Sequence, residues 1–286
     1  MPKIKIFDGV NINYEYIKKD KNKNLKSGKD TKSAKDILVF IHPWACNLTV
    51  WDNEIKFLNK TGFSTLTYDL RGHGLSDIPV KNNLYSLLAL TKELEDIINK
   101  LKLHKITLVA HSFGGMIAVK YCLRNKHKVN KVIFIDSIFS RPPNLSMLKK
   151  PILFLAKIIE AMNHNNIIKC NYSKKEFNFS KMHKKHFLCK SEGFIQTPFY
   201  TIIETAGLIY KTNMESALKK VKCPILVIQG DADTFVPLKR QRKIFSGMDN
   251  VQFVKVRHGK HDLVTEHSLA IAQIMLNSLR NKNTKV

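Results

Sequence analysis

Lys105-Ile106-Thr107-Leu108-Val109-Ala110-His111-Ser112-Phe113-Gly114-Gly115 passes from an apolar, β-branched run straight into a Ser set among small residues. Gly114–Arg124 then reads as a helix rich in small residues. A strand, a sharp turn and a helix put the Ser at the apex. There a strained backbone projects its hydroxyl from the end of a sheet. The positions two residues either side must be small to avoid collision, and they are Ala110 and Gly114. A Ser hydroxyl is a weak nucleophile until a base takes its proton and a third group orients that base.

The rhythm of strand and helix extends outward from this turn. Upstream, Lys3–Phe7 and Ile12–Ile17 read as strands joined at Asp8-Gly9, and Ile37–Ile41 as a strand buried on both faces. Asn53–Lys60 suits a helix, Ser64–Tyr68 a strand, and Ser86–Leu101 has apolar residues at helical spacing. Downstream, Lys131–Ile135, Pro224–Gln229 and Asn250–Val256 read as strands. Lys239–Phe245 and Thr265–Asn281 read as helices. Such alternation predicts an α/β protein with a mostly parallel sheet covered on both faces. The rhythm stops over residues 138–222, which are helical, aromatic and interrupted by Pro142-Pro143. The expected organisation is therefore a core of 1–137 and 223–286 with an inserted helical cap at 138–222. Lys18–Lys35 reads as a solvated loop.

With 44% hydrophobic and 25% charged residues, the chain has a globular composition. No apolar run reaches the roughly 18 residues of a membrane span, and Met1–Ile6 lacks a signal-peptide core, so the expected location is cytoplasmic. The formal charge is +25, yet only seven of the 48 basic residues are Arg. Nucleic-acid sites favour the Arg fork, so a scattered Lys excess reads first as compositional bias and argues against nucleic acid. An acidic carrier protein or an anionic surface is the second reading. The segment Arg141–Lys190 supports it, with eleven basic residues against two Glu. Cys46, Cys122, Cys170, Cys189 and Cys223 have no metal-binding spacing and read as free, mostly buried thiols.

Four further motifs occur in order. His42-Pro43-Trp44 ends the Ile37–Ile41 run, and Asp69-Leu70-Arg71-Gly72-His73-Gly74-Leu75-Ser76 follows Ser64–Tyr68. Gly230-Asp231-Ala232-Asp233-Thr234-Phe235-Val236-Pro237 follows Pro224–Gln229, and Gly259-Lys260-His261 precedes Glu266 by five residues. Together with the Ser112 turn these resemble the α/β-hydrolase superfamily over nearly the whole chain. Ala110 stands where the family's elbow has Gly, and Pro43 where its His-Gly motif has Gly. The resemblance implies Ser112 as nucleophile, His261 as general base and acid, and Asp233 as the acid that orients His261. It implies oxyanion donors at the Phe113 and Trp44 backbone N–H groups, and no metal or organic cofactor. Asp231 and Asp136 rival Asp233, and His258, His267 and His111 rival His261. His42, His73, Asp69 and Arg71 read as residues that fix loops around the site. Phe139, Phe194, Phe199 and Tyr200 could line an acyl pocket, though core packing accounts for them more simply.

The expected activity is a serine hydrolase cleaving a carboxylic ester. Small carboxylesterases and the esterases of carrier-protein esters, such as pimeloyl methyl ester, look alike at this level. Thioesterase and cofactor-free acyltransferase are close alternatives. A non-catalytic ligand-binding relative is the alternative from another class, opposed by a complete Ser, Asp, His set.

Overall fold

The computed structural model describes residues 1–19, 37–79, 84–143 and 197–280. Most of the expected cap (144–196) and of the Lys-rich loop (20–35) lies outside the described residues, as do Phe194, Cys170 and Cys189. Among the described residues, eight strands form one sheet: β1 (Lys3–Lys5), β2 (Asn11–Ile17), β3 (Ile37–Ile41), β4 (Thr65–Tyr68), β5 (Ile106–His111), β6 (Val129–Ile135), β7 (Ile225–Gly230) and β8 (Val251–Val256). Their spatial order is β1-β2-β4-β3-β5-β6-β7-β8. Only β1 with β2 and β2 with β4 pair antiparallel; β4 through β8 are parallel throughout.

Period-two alternation sorts the strand residues onto two cores. Val39, Ile41, Leu108, Ala110, Val132 and Phe134 face one layer, which includes helices α2 (Leu87–Lys100) and α3 (Gly114–Arg124). Leu38, Phe40, Val109, Ile133 and Ile135 face the other, packed on α1 (Asp52–Lys60) and the C-terminal helix Ser268–Arg280. All eleven of these strand residues are fully buried, which is why the runs read as apolar without a polar face. Ser86 caps α2, its hydroxyl accepting from the Ala89 N–H at 3.2 Å.

The single helix expected over Thr265–Asn281 is two, Leu263–Glu266 and Ser268–Arg280, separated at His267 with φ −127° and ψ 27°. The break is silent in the sequence because Val264, Ile271 and Met275 keep helical spacing across it, and all three join one core. Within the expected cap, the described helices are Phe199–Lys211 and Glu215–Leu218.

Candidate active site

Parallel strands deliver their C-terminal loops to one edge of the sheet. The turn after β5 carries Ser112, the loop after β7 carries Asp233, and the loop after β8 carries His261. Ser112 adopts φ +50°, a left-handed conformation costing a non-glycine residue roughly 1–2 kcal/mol. Three backbone bonds hold it there. Its N–H donates to Ile135 O at 3.1 Å, and its carbonyl accepts from Gly115 N at 3.0 Å and Ile138 N at 2.9 Å. The close packing explains the small neighbours. A Cβ on Gly114 would sit 2.7 Å from the Ile41 carbonyl oxygen. Ala110, on fully buried β5, has a neighbouring strand on each side.

Ser112 Oγ lies 2.9 Å from His261 Nε2, and His261 Nδ1 lies 2.8 Å from Asp233 Oδ2. The other oxygen of Asp233 accepts the Phe235 and Val236 N–H groups, each at 2.8 Å. That grip fixes the carboxylate, whose side chain is fully buried. His261 is partly exposed and packs against the Phe235 ring at 4.9 Å between centroids.

The rival residues sit elsewhere. Asp231 accepts the His258 N–H at 2.7 Å and pairs with Lys255 at 3.6 Å, so it braces the turn at the exposed rim. His258 is exposed, with φ +56°. His42 donates Nδ1–H to Pro43 O at 2.7 Å and accepts the Leu70 N–H at Nε2 at 2.9 Å. Accepting at Nε2 requires the neutral ring, and burial accordingly lowers its pKa to about 3. His73 packs against it at 5.3 Å. Asp69 and Arg71 do fix loops, but not by pairing with each other. Asp69 accepts from Leu48 N, Leu75 N and Asn13 Nδ2. Arg71 forms buried ion pairs with Glu93 at 2.8 Å and Asp8 at 2.7 Å.

Asp136 lies nearer. It directly follows β6 with φ +39°, is fully buried, and accepts the Gly230 N–H at 2.9 Å. One ligand-type atom each from His111, Asp136 and His261 lie within 4.8 Å of one another. Both His261 nitrogens are already engaged by Ser112 and Asp233, so the cluster offers a cation little. Burial pushes the Asp136 pKa up to about 8; the Gly230 N–H opposes the rise and the Asp233 charge adds to it. A carboxyl with its folded pKa above the unfolded value binds more protons when folded, so stability falls as pH rises from about 4 towards 8. Asn mimics the protonated acid in shape. Asp136→Asn is therefore expected to raise Tm relative to the parent near pH 8 and to change it little near pH 5. Calorimetry at both pH values checks this, and an equal Tm difference at the two would contradict it.

The site opens into a cavity of about 240 Å³. Its wall includes Trp44, Cys46, Ile138, Ala206, Ile209 and Phe235, predominantly apolar. Of the aromatics considered from sequence, Phe139 packs into the core against Phe134 at 4.9 Å, Tyr200 packs on Tyr85, and Phe199 is exposed. Ala206 and Ile209 on helix Phe199–Lys211 had no motif to announce them. Trp44 reaches that helix directly, its indole N–H donating to Thr205 Oγ1 at 2.8 Å. Phe113 immediately precedes α3, so its N–H belongs to the helix N-terminus, where backbone donors lack intrahelical acceptors. Pro43 supplies no N–H, leaving the next donor of that loop to Trp44.

A parallel sheet with a Ser at the sharp turn after a central strand, and His and Asp brought to it by later loops, defines a class of α/β fold. The family model described as alpha/beta hydrolase fold matches residues 36–268, and the chain belongs to that family. The chain is 23% identical over 244 residues to the AB hydrolase superfamily protein YisY of Bacillus subtilis (strain 168), covering 83% of this chain and 89% of the relative. It is 30% identical over 211 residues to the pimeloyl-[acyl-carrier protein] methyl ester esterase of Wigglesworthia glossinidia brevipalpis, covering 71% and 76%. In structure it is similar to an esterase, EaEST, from Exiguobacterium antarcticum, with a TM-score of 0.74, 17% identity, and coverage of 97% and 98%. No described helix is long and apolar enough to cross a membrane.

Proposed function

We propose that the protein is a serine hydrolase of carboxylic esters whose acyl-enzyme forms on Ser112. The observation carrying this reading is the continuous chain Ser112 Oγ, His261, Asp233 at 2.9 and 2.8 Å, opening into an apolar cavity. Ser112 Oγ attacks the ester carbonyl as His261 Nε2 takes its proton. Asp233 holds the Nδ1–H tautomer and stabilises the imidazolium. The Phe113 and Trp44 N–H groups receive the oxyanion. His261 then protonates the departing alcohol, and water repeats the sequence on the acyl-enzyme. The side chains named here complete the chemistry without a cofactor. The apolar wall suits an uncharged acyl chain better than a charged one. A fluorophosphonate probe tests the reading: it should label Ser112 stoichiometrically, and a panel of p-nitrophenyl esters of increasing acyl length should show turnover that ends where the cavity fills. Absence of both labelling and turnover would overturn it.

A second reading, that the ester is presented by an acidic carrier, has its own support. One relative at 30% identity is an esterase of a carrier-linked ester. Arg141, Lys211 and Arg240 line a recess of about 450 Å³, and Arg240, Lys219 and Lys243 line the next. Arg240 also borders the cleft walled by Ile138 and Phe235, two residues of the catalytic cavity. The segment Arg141–Lys190 carries eleven basic residues against two Glu in the sequence, and its residues 144–190 lie outside the described residues. Steering by rim charges acts on association rate and is screened by salt. On this reading kcat/KM for a carrier-linked ester falls steeply between about 0.05 and 0.5 M salt, while a small neutral ester barely responds. Lys211→Glu with Lys243→Glu reproduces the fall at low salt. Parallel salt titrations with flat responses for both substrates would leave the lysines without this role.

A further inference from the structure

Helix Phe199–Lys211 and the loop after β3 both wall the catalytic cavity, the helix through Ala206 and Ile209, the loop through Pro43, Trp44, Ala45 and Cys46. A hydrogen bond joins them, from the Trp44 indole N–H to Thr205 Oγ1 at 2.8 Å. Thr205 is fully buried, and its own proton goes to Thr201 O, one turn back, at 2.5 Å. The hydroxyl therefore meets the indole as an acceptor. Thr201, also fully buried, lies on the same helix face, and its hydroxyl bonds Tyr85 Oη at 3.0 Å. Both side chains close over Gly72, where a Cβ would lie 2.5 Å from Tyr85 Oη and 2.6 Å from Thr201 Oγ1. Two threonines one turn apart thus seat the helix on two loops of the core. The loop after β3 is also held from the core side, where His42 accepts the Leu70 N–H and the Leu48 N–H donates to Asp69. Between those anchors Ala45 takes φ +54°.

We propose that Thr205 is a positioning residue for ester hydrolysis: by holding the Trp44 indole it aims the Trp44 backbone N–H at the oxyanion, so full turnover requires helix Phe199–Lys211 to be seated. The inference rests on the ester-hydrolase reading and on Trp44 as one of its two oxyanion donors. An indole is rigid and joins the backbone through two side-chain torsions. Fixing its far end at Nε1 restrains those torsions and the Trp44 Cα, and with them the peptide plane that carries the N–H. Pro43 cannot substitute, because it has no N–H to offer. Donors act on a developing oxyanion according to their placement before the reaction, and a shift of about 1 Å can cost on the order of 10²-fold.

The test is steady-state kinetics of the full chain on one neutral p-nitrophenyl ester. Thr205→Val keeps the shape and removes the acceptor; kcat should fall roughly 10–50-fold while KM stays within about threefold. Thr205→Ser restores the hydroxyl and should bring kcat back to within about threefold of the parent. Trp44→Phe removes the donor instead and leaves no buried polar group behind, so it carries the test should Thr205→Val fail to fold. The double variant should be no worse than the poorer single variant by more than about twofold, because both changes break one bond. An alkyl boronic acid supplies the readout that mere loosening of the wall would not move. Its tetrahedral adduct on Ser112 sets an oxygen where the oxyanion forms, so its Ki should weaken by the same factor as kcat/KM across the series. If the parent neither hydrolyses the ester nor takes a fluorophosphonate label, the ester reading falls and this proposal with it. If the parent does both, a Thr205→Val kcat equal to the parent's, a rise in KM alone, additive losses in the double variant, or an unchanged boronic acid Ki would each overturn the role of Thr205 and leave the ester reading standing.

Discussion

Ser112→Ala is expected to lower kcat for ester hydrolysis by roughly 10⁶-fold, to near the uncatalysed rate. The size follows from the proposed role. Without Oγ no acyl-enzyme forms, and His261 has no hydroxyl to deprotonate. Oxyanion donors alone retain only a small residue of catalysis. The fold should be nearly unchanged. The three backbone bonds of residue 112, with Ile135, Gly115 and Ile138, do not involve its side chain. Alanine keeps the Cβ that already tolerates φ +50°. The one bond lost is Oγ to His261, worth about 1 kcal/mol net. Purified Ser112→Ala with a Tm within a few degrees of the parent and with background turnover is the expected pair of results. Retention of most of the parent's activity would remove Ser112 as the nucleophile.

Most of the sheet was legible because its strands are buried on both faces and therefore read as unbroken apolar runs, as Ile37–Ile41 and Ile225–Ile228 do. The Ser112 turn was legible for a different reason. Its geometry excludes side chains at Gly114, whose Cβ would strike the Ile41 carbonyl, so the constraint is written as a small residue. Contacts that depend on tertiary placement left no such mark. Ala206 and Ile209 look like any helical core residues until the helix is laid over the cavity beside Trp44. Asp136 directly follows β6 and Asp233 lies three residues past the end of β7, and sequence alone ranks them only by motif. The geometry separates them, since the carboxylate of Asp233 holds His261 Nδ1 while Asp136 is held by the Gly230 N–H. The break at His267 is hidden because a kink that leaves the apolar face in register leaves the spacing unaltered.

Asp233→Asn is expected to lower kcat/KM by on the order of 10⁴-fold, and the structure says why an amide so close in shape should fail. Oδ1 of Asp233 accepts two backbone N–H groups, from Phe235 and Val236. An Asn at 233 keeps its oxygen there, because its NH₂ cannot accept them. The NH₂ therefore takes the place of Oδ2 and points at His261 Nδ1, 2.8 Å away in the parent. A donor facing Nδ1 requires a lone pair on that nitrogen, so the proton moves to Nε2 and faces Ser112 Oγ. His261 in that tautomer cannot accept the Ser112 proton, and the imidazolium formed in the transition state loses its counter-charge. Asp231→Asn is the control from the same turn. Its carboxylate braces the His258 N–H and Lys255 at the rim, so the loss should stay within about tenfold. Thermal unfolding of both variants separates catalysis from stability, since Asp233→Asn preserves the two backbone bonds and should remain folded. Steady-state kinetics on one neutral ester at constant pH then decides the assignment. A loss larger in Asp231→Asn than in Asp233→Asn would move the orienting acid two residues up the chain and dissolve the proposed triad as drawn.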